Sequence, residues 1–130
     1  MTNLFEFNGK VIQGGLLIIH ALIYVNESLI DSQIHIIGPY LVTSIRNAED
    51  ENCGRFACGL VSDLSNYLER GMTAYAHEFM SCLNEVLKNS EYSTETKLHA
   101  MIAVGDICLA IEENFQQYLD ETMTCLFSAC

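Results

Sequence analysis

The sequence predicts an all-α fold, a solenoid of three antiparallel helix pairs. The main observation is that the 130-residue chain matches itself without a gap at an offset of 43 residues. Asp63 falls on Asp106, Leu64 on Ile107, Leu68 on Ile111, Glu69 on Glu112, Met72 on Phe115, Tyr75 on Tyr118, Met80 on Met123 and Cys82 on Cys125. The second observation is composition: half of the residues are apolar and there is a single proline, Pro39, so long helices are open to the chain and a core can form.

Each helix follows from its apolar spacing and the turn residues around it. The first pair is expected over about 10–47, with one helix from Lys10 to Leu29 and the other from Ser32 to Asn47. It joins the series at an offset of 38, where Leu22 pairs with Leu60, Ile23 with Val61, Ile30 with Leu68, Ile37 with Tyr75 and Ile45 with Leu83. The second pair covers 54–89, with helices over Gly54 to Glu69 and Thr73 to Asn89. The third covers 94–130, with Thr94 to Glu112 and Phe115 onward. Glu69-Arg70-Gly71 and Glu112-Glu113-Asn114 are polar turns short enough to force antiparallel neighbours. Between pairs lie Ala48 to Cys53 and Ser90 to Ser93, where Ser93 suits an N-cap.

Charge narrows the function classes. Six Lys and Arg against 17 Asp and Glu leave a net charge of -11, which disfavours nucleic acid and anionic membrane and favours a basic partner. The apolar stretch Leu16 to Val25 is interrupted by His20 and falls far short of the ~20 residues a membrane span needs, so no membrane insertion is expected. Met1 to Lys10 lacks the apolar core of a secretory signal. Cys53, Cys58, Cys82, Cys108, Cys125 and Cys130 form no CxxC and no zinc-type spacing with the histidines, and reduced thiols are expected, with no metal or other cofactor.

Helical phase assigns the faces. In the second helix of the second pair, Tyr75, Ala76, Phe79, Met80, Leu83, Val86 and Leu87 crowd one side, and His77, Ser81, Asn84 and Lys88 lie opposite, flanked by Glu78 and Glu85. The matching polar positions of the third pair are Asp120, Thr124 and Phe127, flanked by Glu121 and Ser128. In the first pair they are Pro39, Thr43 and Arg46. Side by side these stripes make one surface, a candidate partner-binding face formed by His77, Glu78, Ser81, Asn84, Glu85, Asp120, Glu121 and Thr124. The first helix of the third pair departs from amphipathicity, since Met101, Ile102, Cys108 and Leu109 make its second side apolar. Such a helix is buried all round or waits for a partner. With no polar capping helix at either end, a piece of a longer solenoid is expected.

A period of about 40 to 47 residues is that of HEAT and armadillo units. Within it, Ala57-Cys-Gly-Leu-Val-Ser-Asp63-Leu-Ser with Glu69, then Val104-Gly-Asp106-Ile-Cys-Leu-Ala-Ile-Glu112 and Phe115-Gln-Gln-Tyr118-Leu, resemble consecutive HEAT repeats in the C-terminal half of importin-β. Ile37-Gly-Pro-Tyr-Leu-Val-Thr-Ser-Ile45 resembles the helix just before them. The resemblance covers roughly residues 10 to 130. It implies a nuclear import receptor that works between cytoplasm and nucleus and at the pore of the nuclear envelope. In that family the concave face takes the basic segment of an importin-α-type adaptor or a basic cargo and also contacts the GTPase Ran. Phenylalanine-glycine nucleoporins occupy grooves between the outer helices, for which Met101, Ile102 and Leu109 are the candidates. Asp63 and Asp106 match the recurrent HEAT aspartate and are expected to hydrogen-bond along the stack as a ladder; Val25 stands at that place in the first pair.

Two other classes compete. An enzyme would need a nucleophile with a base, or paired carboxylates in a pocket, and the sequence offers no such constellation. A regulatory HEAT scaffold of the phosphatase or condensin type shares the fold, and is set apart by the Val104 to Leu119 resemblance and the acidity.

Overall fold

The computed structural model describes residues 4–25, 27–46 and 50–129, with side chains from position 13 onward except 27–29. Among the described residues six α-helices follow one another: α1 (Leu4–Val25), α2 (Glu27–Arg46), α3 (Glu51–Leu68), α4 (Thr73–Lys88), α5 (Thr94–Ile111) and α6 (Gln116–Ala129). Among the described residues there is no strand. Of the expected inter-pair segment Ala48 to Cys53, positions 48 and 49 lie outside the described residues, as do Asn47 and Cys130, while 51–53 already belong to α3.

Several boundaries differ from expectation for local reasons. Helix α1 stops at Val25 and α2 begins at Glu27, several residues before Ser32. Pro39 sits inside α2 without ending it. Helix α3 starts at Glu51 because the Asp50 carboxylate accepts the Cys53 N–H at 3.3 Å, and α5 starts as expected, with Ser93 Oγ accepting the Thr96 N–H at 3.2 Å. The turns within the second and third pairs are 3-10 turns, Glu69–Met72 and Glu112–Phe115. Each opens on a glutamate at positive φ, 51° at Glu69 and 52° at Glu112, and the N–H groups of these residues bond the carbonyls of Ser65 and Cys108. A non-glycine residue in such a conformation costs about 1 to 3 kcal/mol, so its recurrence one repeat later marks the turn as a constrained part of the unit.

Helix directions follow from the ties between elements. Arg46 at the end of α2 reaches Glu85 near the end of α4, so these helices run parallel. Arg55 near the start of α3 donates to Thr96 near the start of α5 at 3.2 Å, which makes these two parallel as well. Tyr67 at the end of α3 donates to Asp31 near the start of α2 at 3.1 Å, so the two layers oppose. The most extensive packing joins α3 to α5, and each second-layer helix to the first-layer helix that follows it, α2 to α3 and α4 to α5. The core runs between the layers through Leu16, Ile30, Leu41, Ile45, Leu60, Leu64, Phe79, Met80, Leu83, Leu87 and Ile107, all essentially buried. One close approach and one ordinary packing contact join its glycines to the neighbouring rings. Gly15 faces Tyr40 where a Cβ would strike the ring, and Gly38 lies under Phe79, whose Cζ stands 3.9 Å from where a Cβ would be.

The buried cysteines pack as small side chains, with Cys53 Sγ donating to Asp50 Oδ2 at 3.3 Å and Cys82 Sγ to the Phe79 carbonyl at 3.2 Å. None of Cys53, Cys58, Cys82, Cys108 and Cys125 is in a disulfide, and burial pushes Cys58 and Cys82 up to about 12, so neither is a reactive thiolate at neutral pH.

Candidate functional site

The second-layer helices α2, α4 and α6 stand side by side and expose the polar stripe read from the sequence. His77, Glu78, Ser81 and Glu85 on α4 and Asp120, Glu121 and Thr124 on α6 are all exposed. The two helices meet beneath this surface, where the His77 ring lies 6.4 Å from that of Tyr118. Thr124 turns inward on its own helix, its hydroxyl donating to the Asp120 carbonyl at 3.0 Å.

Asn84 is the exception. It is 2% exposed and its Nδ2 donates to the buried Thr122 hydroxyl at 3.4 Å, so it ties α4 to α6 and is not presented to a partner. The phase reading missed this because the third pair covers one flank of the α4 stripe. The same geometry explains Phe127, the counterpart of Asn84 one repeat later, which is 75% exposed. Met80 is buried and its counterpart Met123 exposed, Ala76 is buried and Leu119 exposed; no described helix follows α6 to cover them.

The aspartate ladder does not form as expected. Asp63 and Asp106 are both half-buried, but neither carboxylate has a hydrogen-bond partner among the described residues; Asp63 borders grooves shared with Tyr24, Tyr67, Arg55 and His99. The ties between successive pairs run through other residues. Arg70 holds Glu112 and Glu113, its Nη1 lying 3.3 Å from Glu113 Oε1. The Ser93 N–H donates to Glu51 at 2.7 Å and holds that carboxyl below the usual carboxylate range, a contribution present at neutral pH and lost as acid protonates it. The Tyr92 hydroxyl donates to the Ile45 carbonyl at 3.3 Å. Arg46, Arg55 and Arg70, the three arginines of the chain, all bridge one pair to the next. Spacing is the signal that would have found them, because Arg70 precedes Glu113 by one 43-residue period and Arg46 precedes Glu85 by 39 residues.

On the opposite, first-layer side, Ile102 and Leu109 are exposed while Met101 is half-buried. Leu109 and Ala110 line a groove with Ser65, Asn66, Glu69 and Arg70 between α3 and α5. A second groove of about 430 Å³ crosses α3 at Phe56, Gly59 and Asp63, between His20 and His99. Both are shallow and open. Among the described residues no group of His, Cys, Asp or Glu is placed to hold a metal ion, and no helix is long and apolar enough to cross a membrane.

Comparison with known proteins agrees with this architecture. A family model described as "Importin subunit beta-1-like, TPR repeats" matches residues 6–130. Importin subunit beta-1 of Schizosaccharomyces pombe is 32% identical over 91 residues, 70% of this chain and 10% of that protein. Importin subunit beta-1 of Saccharomyces cerevisiae is 27% identical over 99 residues, 76% of this chain and 11% of that protein. The chain thus spans about a tenth of the length of these relatives. No solved structure matches it. A match over nearly the whole chain, on the same repeated helix pairs that build the exposed faces, shows that the chain belongs to the importin-β-like repeat family.

Proposed function

We propose that this chain is a segment of a nuclear transport receptor and that its second-layer face binds a Lys/Arg-rich segment of an adaptor or cargo. The observation that carries this reading is the placement of Glu78, Glu85, Asp120 and Glu121 on one exposed surface spanning the neighbouring second-layer helices α4 and α6, in a chain of net charge -11. Carboxylates so arranged attract a basic helix or strand and speed its encounter. Family membership supports the direction of the reading. On the same reading the receptor works in cytoplasm and nucleus and passes the nuclear pore; Ran contacts the same face, and phenylalanine-glycine nucleoporins meet the first-layer side, where Leu98, Ile102 and Leu109 are exposed.

The test is a titration of a labelled Lys/Arg-rich peptide against the chain and against a variant with Glu78, Glu85, Asp120 and Glu121 changed to Gln or Asn. Single exposed pairs contribute little, but four together should weaken binding by about tenfold at low salt. The difference should shrink as salt rises, because screening brings the wild type toward the variant. Identical affinities at low salt would exclude these carboxylates and move the functional surface to the first-layer side.

A further inference from the structure

Glu85 differs from the other carboxylates of the second-layer face in already holding a cation. Arg46 Nε lies 3.1 Å from Glu85 Oε2 and its Nη2 3.3 Å from Oε1, so the guanidinium faces both oxygens of the carboxylate with two donors. This forked arrangement is the one an arginine of a bound basic segment would itself adopt. Glu78, Asp120 and Glu121, by contrast, are exposed and have no ion pair among the described residues. Lys88 shares the surface, is exposed and likewise has no ion pair there.

We propose that Arg46 is a resident competitor for the partner's basic segment, occupying Glu85 until an incoming cation displaces it. The proposal rests on the reading of this face as a site for a Lys/Arg-rich partner. An arginine tethered to the neighbouring helix needs no encounter to reach Glu85, so it holds the carboxylate against an isolated basic side chain. A segment that engages Glu78, Asp120 and Glu121 at the same time gains enough from these neighbours to take its place. Arg46 therefore raises the number of cations a partner needs, and in doing so discriminates clustered basic segments from sparse ones. It also joins α2 to α4, so displacement loosens one tie between the first and second pairs at the moment of binding.

The experiment compares Arg46→Gln with Lys88→Gln, which removes the same charge from the same surface without freeing a carboxylate. The probe is a labelled peptide rich in Lys and Arg, titrated at low salt, with thermal unfolding to confirm that each variant folds. Arg46→Gln should bind about two- to fivefold more tightly than the wild type and more tightly than Lys88→Gln. Arg46→Lys, which keeps the charge and loses the fork, should gain less. In the double variant Arg46→Gln with Glu85→Gln the gain should disappear. Arg46→Gln binding no more tightly than Lys88→Gln would reduce the effect to net charge and overturn the competitor role. If the four-carboxylate variant binds as the wild type does, the reading of the face itself fails; if that variant weakens and Arg46→Gln gains nothing beyond Lys88→Gln, only the competitor role fails.

Discussion

Replacing Phe79 with alanine should cost the fold about 3 to 5 kcal/mol, the usual range for removing a buried aromatic side chain. The ring is 1% exposed and lies over Gly38, where α2 carries no side chain of its own to fill the space. Truncation therefore leaves a void at the joint between α2 and α4, and helices held by ties on both flanks cannot simply close over it. Urea unfolding followed by circular dichroism makes the measurement, with Leu109→Ala as the contrast. Leu109 is 77% exposed, so its truncation should stay within about 0.5 kcal/mol of the wild type. A loss below about 1 kcal/mol at Phe79 would contradict its place in the core.

The second large effect is expected at the buried polar joint between α4 and α6. Thr122→Val keeps the shape of the side chain and removes the acceptor that Asn84 Nδ2 bonds at 3.4 Å. Asn84 Oδ1 has no partner even in the intact protein, so the variant leaves the whole amide buried and unpaired. The expected loss is about 1 to 3 kcal/mol. Changing both residues, Asn84→Leu with Thr122→Val, removes the unpaired group along with its partner and should recover most of that loss. Equal stabilities for the wild type and Thr122→Val would show that the amide finds water or another partner there.

The 43-residue self-match makes the second and third helix pairs legible, and helical phase places Phe79, Leu83 and Leu87 inward and Glu78, Ser81 and Glu121 outward, as observed. Phase describes one helix at a time. It assigned Asn84 to the exposed stripe because the side of α4 that α6 covers is set by the stacking of pairs, not by the sequence of α4. The aspartate at Asp63 and Asp106 recurs in sequence, but recurrence alone does not supply an acceptor's partner. The bonds that do cross between pairs come from arginines, and an arginine's reach lets residues on neighbouring helices meet without a visible pattern within either helix. In the first pair the self-match weakens, and there the boundary between α1 and α2 moved from the predicted region around Ser32 to Val25 and Glu27.

The apolar edge formed by Leu119, Met123 and Phe127 follows from the same stacking. Their counterparts Ala76, Met80 and Asn84 are buried, so an edge of this kind is what a repeat presents to a neighbour. It is separate from the charged second-layer face, which stays solvated in both the second and third pairs. The division leaves the stacking edges to hold the solenoid together and, on the function proposed above, the charged face to select a partner.

The charged face is tested most directly by the affinity of the chain for two labelled peptides of equal length, one rich in Lys and Arg and one rich in Asp and Glu, across a salt series. The basic peptide should bind, with an affinity that weakens steadily as salt rises, and the acidic one should not bind. Failure to bind the basic peptide at low salt, or binding that salt does not change, would contradict the role proposed for this face.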